Sequence, residues 1–260
     1  MKIVVCLKEV SGRESRYEVA AEENWINESN ISFEINECDE YALEEALRLK
    51  EQFGGEVAIL SVGKPRAEKV MRKALAMGAD RGILIADDSR RLTTPHLLAK
   101  AMSSALKSEE YDLVLTGTQS DDLGYAQTAV VLAEFLSIPH ATIVMKIEAE
   151  PEAQRLRALR EMESGQFQWL ELPLPALLSI QAGSSPVRYA SLKGIMQAKK
   201  KEIRVLSPEE VGADATTGPE LEIVRLYQKK EERKAELLEG ETGAVVEQLV
   251  EKLQKEAKVL

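Results

Sequence analysis

The chain predicts an α/β fold: a doubly wound, mostly parallel sheet with an antiparallel hairpin annex and a C-terminal helical arm. Three observations lead there. Short apolar runs alternate with amphipathic helical patterns over residues 1–136, as parallel strands joined by crossover helices require. From residue 141 the pattern changes to strand-like stretches separated by a Ser164-Gly165 turn, which suits antiparallel pairing. A last apolar stripe then stands beyond a polar Thr216-Thr217-Gly218-Pro219 linker. The expected division is an α/β domain over 1–212 and a linker with a helical arm over 213–260.

Taken in order, KIVVCL at 2–7 is short and β-branched, hence a buried first strand, and the 24 residues after it read as loop or hairpin. Asn36 precedes a helix with Asp39 and Glu40 in its first turn, where an amide oxygen can accept an orphan N–H and carboxylates suit the positive dipole end. Ala42, Leu43, Ala46 and Leu47 form its inner stripe, and Gly54-Gly55 ends it. VAILSV at 57–62 is a second strand, followed through Gly63-Lys64-Pro65 by a helix that buries Val70, Met71, Ala74 and Leu75 and stops at Gly78. GILIA at 82–86 is a third strand. Thr94-Pro95, a cap followed by a proline at the first helical position, starts a helix with Leu97, Leu98, Ala101, Met102, Ala105 and Leu106 inward. Stretches 141–147, 155–162 and 167–172 form the annex on one edge, and ALLSI at 176–180 is one more core strand. Residues 221–227 are expected to pair as a strand, and 231–234 form a solvated charge run. Thr242 starts the terminal helix, with Val246, Leu249, Val250 and Leu253 at i, i+3, i+4 and i+7.

Composition narrows the function. A content of 44% hydrophobic and 30% charged residues in 260 describes a globular chain with material for a sizeable core. A formal charge of −10 argues against a nucleic-acid partner, whose phosphates call for a basic surface. No apolar run approaches the ~20 residues of a membrane span and no signal peptide is evident, so no direct membrane insertion is expected. Cys6 and Cys38 make no disulfide framework, which points to a reducing compartment: the cytoplasm, or the mitochondrial matrix in a eukaryote. With two histidines in unrelated contexts and no Cys-x-x-Cys, His-Glu-x-x-His, Walker lysine or Gly-x-Ser-x-Gly pattern, no catalytic residue is nominated.

The centre is YDLVLTGTQSDDLGYAQTAVVLAEFL, residues 111–136. A strand at 113–115, a polar turn from Thr116 to Gly124 and a helix with Ala129, Val130, Ala133 and Leu136 on one face place unpaired N–H groups at the carboxyl edge of a sheet. Such donors, with the helix dipole, favour an anion such as a phosphate. The same pattern also fits a plain strand-to-helix connection.

Three stretches give the chain a resemblance to the small (beta) subunit of electron-transfer flavoproteins, running from residue 1 to about 212. They are ALEEALRLKE (42–51) with ALAMGADRGI (74–83); Gly117, Gln119, Asp122, Gln127 and Thr128 in the central loop; and RYASLKGIMQAKKKEI (188–203). The resemblance implies an adenine-nucleotide alpha-hydrolase-like fold and a heterodimer with a large (alpha) subunit that holds most of the FAD, while the small subunit binds AMP structurally as an electron carrier and not an enzyme. The implied AMP contacts are Cys6, Asn36, Val62, Gly117, Thr118, Gln119, Ser120, Asp121, Asp122, Leu123, Gly124, Tyr125, Ala126, Gln127 and Thr128. Cys6 and Val62 act through backbone, Asn36 hydrogen-bonds adenine or ribose, and N–H groups near Gln127 and Thr128 hold the phosphate. Read from chemistry alone, Cys6 is a small buried hydrophobe, Asn36 a helix cap, and Asp122 a brace that accepts loop N–H groups.

The resemblance further implies that Leu192 enters an apolar pocket of acyl-CoA dehydrogenases in fatty acid oxidation, within a surface of Arg188, Tyr189, Leu192, Ile195 and Met196. Lys199, Lys200 and Lys201 steer the encounter, Glu161 pairs with the mobile flavin domain, and a quinone oxidoreductase accepts electrons downstream. Departures from the family pattern lie at Val10-Ser11-Gly12-Arg13, where a flavin contact is common, and in the loop wording Asp121-Asp122-Leu123-Gly124-Tyr125-Ala126. Ala126 resembles electron-bifurcating members with a second FAD and NADH oxidation, whereas Thr128 resembles the AMP type; AMP is the favoured reading. A stand-alone adenine-nucleotide-binding module is the remaining alternative.

Overall fold

The computed structural model describes residues 1–21, 25–88, 92–213, 221, 223–228 and 235–259. Its centre is a nine-stranded sheet, accompanied by a two-stranded ribbon. In chain order the strands are β1 (Lys2–Cys6), β2 (Glu9–Ser11), β3 (Phe33–Ile35), β4 (Glu56–Gly63), β5 (Arg81–Ala86), β6 (Leu113–Gly117), β7 (His140–Glu150), β8 (Arg155–Glu161), β9 (Phe167–Pro173), β10 (Ala176–Ile180) and β11 (Ile203–Leu206). The helices are α1 (Glu37–Phe53), α2 (Glu68–Met77), α3 (Pro95–Leu106), α4 (Thr128–Leu136), α5 (Leu192–Ala198) and α6 (Thr242–Lys252).

The sheet runs β11-β5-β4-β1-β6-β10-β7-β8-β9. Every pairing from β11 to β7 is parallel, and β8 and β9 are antiparallel. Inner strands buried on both faces explain runs such as IVVC and VAIL that show no alternation. Val5, Ile59 and Leu115 pack under α1 and α2, whereas Val4, Leu60 and Val114 pack under α3 and α4. The expected doubly wound arrangement is therefore present. The chain moves outward from β1 to β4 and β5, then returns to place β6 on the other side of β1. Order thus reverses at the β1/β6 boundary, where an open α/β sheet leaves a crevice at its carboxyl edge.

Several elements differ from expectation. On α4 the buried residues are Ala129, Leu132 and Ala133, while Val130 is exposed, because the helix rotates toward α3 and β10. The first annex strand is not purely antiparallel: β7 pairs parallel with β10 and antiparallel with β8. Strand β11, at the opposite edge, departs from the expected elements; its four residues, IRVL, form too short an apolar run to stand out directly after a lysine run. None of the described residues among 221 and 223–227 lies in a strand. The 216–219 linker and the 231–234 charge run lie outside the described residues. Helix α6 forms as expected and buries no residue, with Val246, Leu249 and Val250 exposed. Among the described residues no helix is long and apolar enough to cross a membrane, and no cluster of His, Cys, Asp and Glu fits a metal ion.

Candidate functional site

A cleft enclosing about 750 Å³ of non-protein space, open to solvent, sits at the β1/β6 reversal. Its floor is made by the ends of β1 (Cys6, Leu7), β4 (Val62) and β6 (Thr116, Gly117). One wall is the α1 start, Asn36 and Asp39; the opposite wall is apolar, from Pro95, Leu98 and Met102 of α3. The loop after β6 and the first turn of α4 close the rim with Thr118, Gln119, Ser120, Leu123, Tyr125, Ala126, Gln127 and Thr128. One apolar wall facing a rim of backbone donors matches a flat apolar ring carrying a polar tail.

Gly117 is where the two halves of the site touch. A Cβ there would lie 2.4 Å from Asp39 Oδ1 and 2.6 Å from Cys38 Cβ, so α1 approaches the end of β6 more closely than a side chain permits. Asp39 is the hub of that approach. It is 6% exposed, and it accepts the Lys8 N–H through Oδ2 (2.7 Å) and the Gly117 N–H through Oδ1 (2.8 Å), tying β1 to β6. Burial pushes its carboxyl up to about 7, against the pull of these donors.

The structure corrects the capping role expected of the Asn36 side chain. It occupies the N-cap position of α1, yet its side chain caps nothing there. Its amide nitrogen donates to the Gln119 carbonyl (2.9 Å) and its oxygen accepts the Asp121 N–H (2.8 Å), so both ends of the carboxamide hold the loop. Asp121 returns the favour by accepting the Glu37 N–H (3.1 Å) at the start of α1. A hydrogen-bonded exchange between loop and helix therefore replaces a local cap. Asp121, Asp122 and Gly124 stand outside the cleft lining. Asp122 braces the loop as its chemistry suggests, accepting the Leu123 N–H (2.7 Å) and a 2.6 Å ion pair from Lys8. Burial opposes ionisation of this carboxyl, but Lys8 and the hydrogen bonds outweigh it and hold it below its ordinary value.

The turn into α4 is conformationally costly. Gly124 and Ala126 both have positive φ, 61° and 53°. For alanine the left-handed region costs roughly 1–2 kcal/mol, a strain that the loop's anchors must hold. Helix α4 then begins with no side-chain cap and no acidic residue in its first turn. Gln127, Thr128 and Ala129, at this uncapped start, line the cleft. Cys6 is buried among apolar neighbours and its thiol is pushed up by that burial, with Asp39 adding to the effect, so it is an inert wall.

The second group of residues lies elsewhere. Tyr189, Leu192, Ile195 and Met196 are exposed together around the start of α5, Leu192 to 84%. Arg188 is engaged with α1, its guanidinium paired to Glu44 (2.8 Å) and Glu51 (2.5 Å). Lys199 and Lys200 are exposed, but Lys201 turns inward, donating to the Leu75 carbonyl (3.0 Å) and to that of Ala79. Glu161 ends β8, half-buried opposite Phe167.

Sequence reasoning missed Lys8, Asp39 as a tether, and the α3 wall. Lys8 carried a signal, since it stands directly after the first apolar strand at its carboxyl end. Leu98 and Met102 carried none, because a lining residue and a core residue on one helical stripe look alike.

A family model described as "Electron transfer flavoprotein domain" matches residues 24–211. Similar relatives are named "Electron transfer flavoprotein subunit beta". That of Methylophilus methylotrophus is 34% identical over 92% of this chain and 93% of its own. That of Bacillus subtilis is 34% identical over the whole of both chains. The human protein is 34% identical over 84% of this chain and 85% of its own.

Proposed function

Because this chain belongs to the electron transfer flavoprotein family, on the side of its beta subunits, we propose that it binds AMP in the β1/β6 cleft as a structural ligand and completes the FAD site of a large subunit. The observation that carries this reading is the uncapped start of α4 on the rim of a cleft whose opposite wall is apolar. The phosphate of AMP fits the N–H groups at Gln127, Thr128 and Ala129, each charge–dipole contact contributing roughly 0.3–1 kcal/mol. Leu98, Met102 and Val62 offer the adenine an apolar bed. Asn36, Asp39 and Lys8 act indirectly, fixing the loop and the strand ends. Lys8, already paired with Asp122, lends positive potential to the rim.

FAD supplies the electron-accepting and electron-donating chemistry of the complex, and this chain contributes a seat for it and not an acid, base or nucleophile. Residues 213–260 serve as an arm along the large subunit: α6 shows Val246, Leu249 and Val250 on one exposed stripe. Tyr189, Leu192 and Met196 form the docking surface for an acyl-CoA or related dehydrogenase. Burying one exposed leucine gains roughly 1.5–3 kcal/mol, enough for an anchor in a transient complex. Lys199 and Lys200 steer the encounter, Glu161 meets the flavin-bearing domain, and a quinone oxidoreductase takes the electrons. The proposed place is a reducing compartment, the cytoplasm or the mitochondrial matrix in a eukaryote, in keeping with the free thiols of Cys6 and Cys38.

The test is to co-purify the chain with its large subunit, denature the complex and quantify the nucleotides released. One FAD and one AMP per heterodimer is the expected result. Two FAD and no AMP would overturn the AMP assignment in favour of a bifurcating subunit.

A further inference from the structure

We propose that Arg72 and Gly194 are positioning residues that hold the exposed apolar surface of α5 in its docking pose; this rests on the docking reading above. Helix α5 has seven residues, too few to persist alone in water, and only Ala198 of it is buried. Something outside the helix must fix it. Two reciprocal contacts with α2 do so. Arg72 of α2 donates from one guanidinium nitrogen to the carbonyls of Ala198 (2.7 Å) and Lys201 (2.5 Å), capping the end of α5. In return the Lys201 ammonium donates to the carbonyls of Leu75 (3.0 Å) and Ala79 at the end of α2. Each helix thus has one carbonyl of its last turn, Ala198 in α5 and Leu75 in α2, held by a cation from the other helix or the residues just after it. The remaining Arg72 nitrogens are bonded to Glu68, which fixes the plane of the fork.

Gly194 sets the rotation. A Cβ there would stand 2.2 Å from the Ala76 carbonyl oxygen, so the α5 backbone rests directly on α2. At about 100° per residue, positions two before and two after lie roughly 200° round the helix. Seating Gly194 on α2 therefore turns Leu192 and Met196 away from it, which is why they are 84% and 72% exposed. At the other end, Arg188 is pinned to Glu44 and Glu51 of α1. The segment is held on two helices at once, and a partner meets a surface whose ordering cost has already been met in folding.

The experiment uses the heterodimer as electron acceptor for an acyl-CoA dehydrogenase, comparing Leu192→Ala, Arg72→Ala, Gly194→Ala and the double variant Arg72→Ala/Leu192→Ala. Readouts are KM for the heterodimer, kcat, FAD content and amide exchange over residues 192–201. Arg72→Ala and Gly194→Ala are expected to raise KM about fivefold to tenfold and speed exchange in 192–201, with kcat and FAD content unchanged. The double variant is expected to be no worse than Leu192→Ala, since a displaced helix has no leucine left to misplace. Unchanged KM and exchange in both Arg72→Ala and Gly194→Ala, with Leu192→Ala still impaired, overturns the positioning inference alone. So does full multiplication of the effects in the double variant. An unaffected Leu192→Ala overturns the docking reading itself. Gly194→Ala carries the test if Arg72→Ala does not fold.

Discussion

Replacing Gly117 by alanine drives a methyl group into the start of α1. The new Cβ would stand 2.4 Å from Asp39 Oδ1 and 2.6 Å from Cys38 Cβ, the latter roughly 1 Å inside the optimum for two carbons. No flexible side-chain end is available to swing aside: Cys38 is buried, and Asp39 is tied to the Lys8 and Gly117 N–H groups. The helix must retreat, at an overpacking cost of about 1–3 kcal/mol. Retreat also stretches the two hydrogen bonds to Asp39, and a buried donor left unpaired costs about 1–3 kcal/mol more. A total of about 4 kcal/mol corresponds to a fall in melting temperature on the order of 10 °C for a domain of this size. The same movement carries Asn36 away from the Gln119 carbonyl and the Asp121 N–H, so AMP affinity should fall at least about tenfold. Thermal unfolding followed by circular dichroism and titration calorimetry with AMP measure the two effects. A Gly117→Ala protein melting within about 2 °C of the wild type and binding AMP equally well would refute the reasoning.

Further outcomes are expected on the same physical grounds. Thr128→Asp places a carboxylate in the first turn of α4, which should raise the stability of the nucleotide-free protein by roughly 0.3–1 kcal/mol while weakening AMP binding; calorimetry showing tighter binding would contradict the phosphate assignment. Lys8→Met breaks the ion pair to Asp122, whose partners are each a third exposed, so the loss of stability should stay below about 1 kcal/mol, and the salt dependence of AMP affinity should flatten. Glu28 resists ionisation through burial, but donors from Arg66, Lys64 and Trp25 more than offset this and hold its carboxyl at about 2 in place of 4.5. Its contribution is therefore complete above pH about 4.5 and lost as pH falls toward 2, so Glu28→Gln should show a shallower acid limb in urea melts between those values than the wild type. Removing residues 236–260 should weaken association with the large subunit, measured by analytical ultracentrifugation, and leave the melting temperature of the isolated chain within about 2 °C, because α6 buries nothing of its own domain.

The parallel core and its helices were legible in the sequence because local pattern and burial agree there. Strands such as β1 and β4 are apolar without alternation, and Thr94-Pro95 and Gly78 carry their own start and stop chemistry, which the structure keeps: Thr94 accepts the Leu97 N–H and Gly78 has a φ of 140°. The central loop was legible too, since strand, polar turn and helix place donors at a sheet edge in any α/β protein. What the linear order could not convey was pairing over distance. Asn36 looks like a helix cap, and becomes a brace because Gln119 and Asp121, some 83 and 85 positions away, offer it a carbonyl and an N–H. Asp39 reads as a favourable charge at a helix start until Gly117 arrives beside it. Lys201 belongs to a basic run, yet the end of α2 draws it inward while Lys199 and Lys200 stay in water. Composition and periodicity determine which residues seek the interior, because burial is a property each residue carries with it. Which polar group meets which is decided only when the sheet has formed, since a hydrogen bond needs both partners within about 3 Å, and only the tertiary structure brings them there.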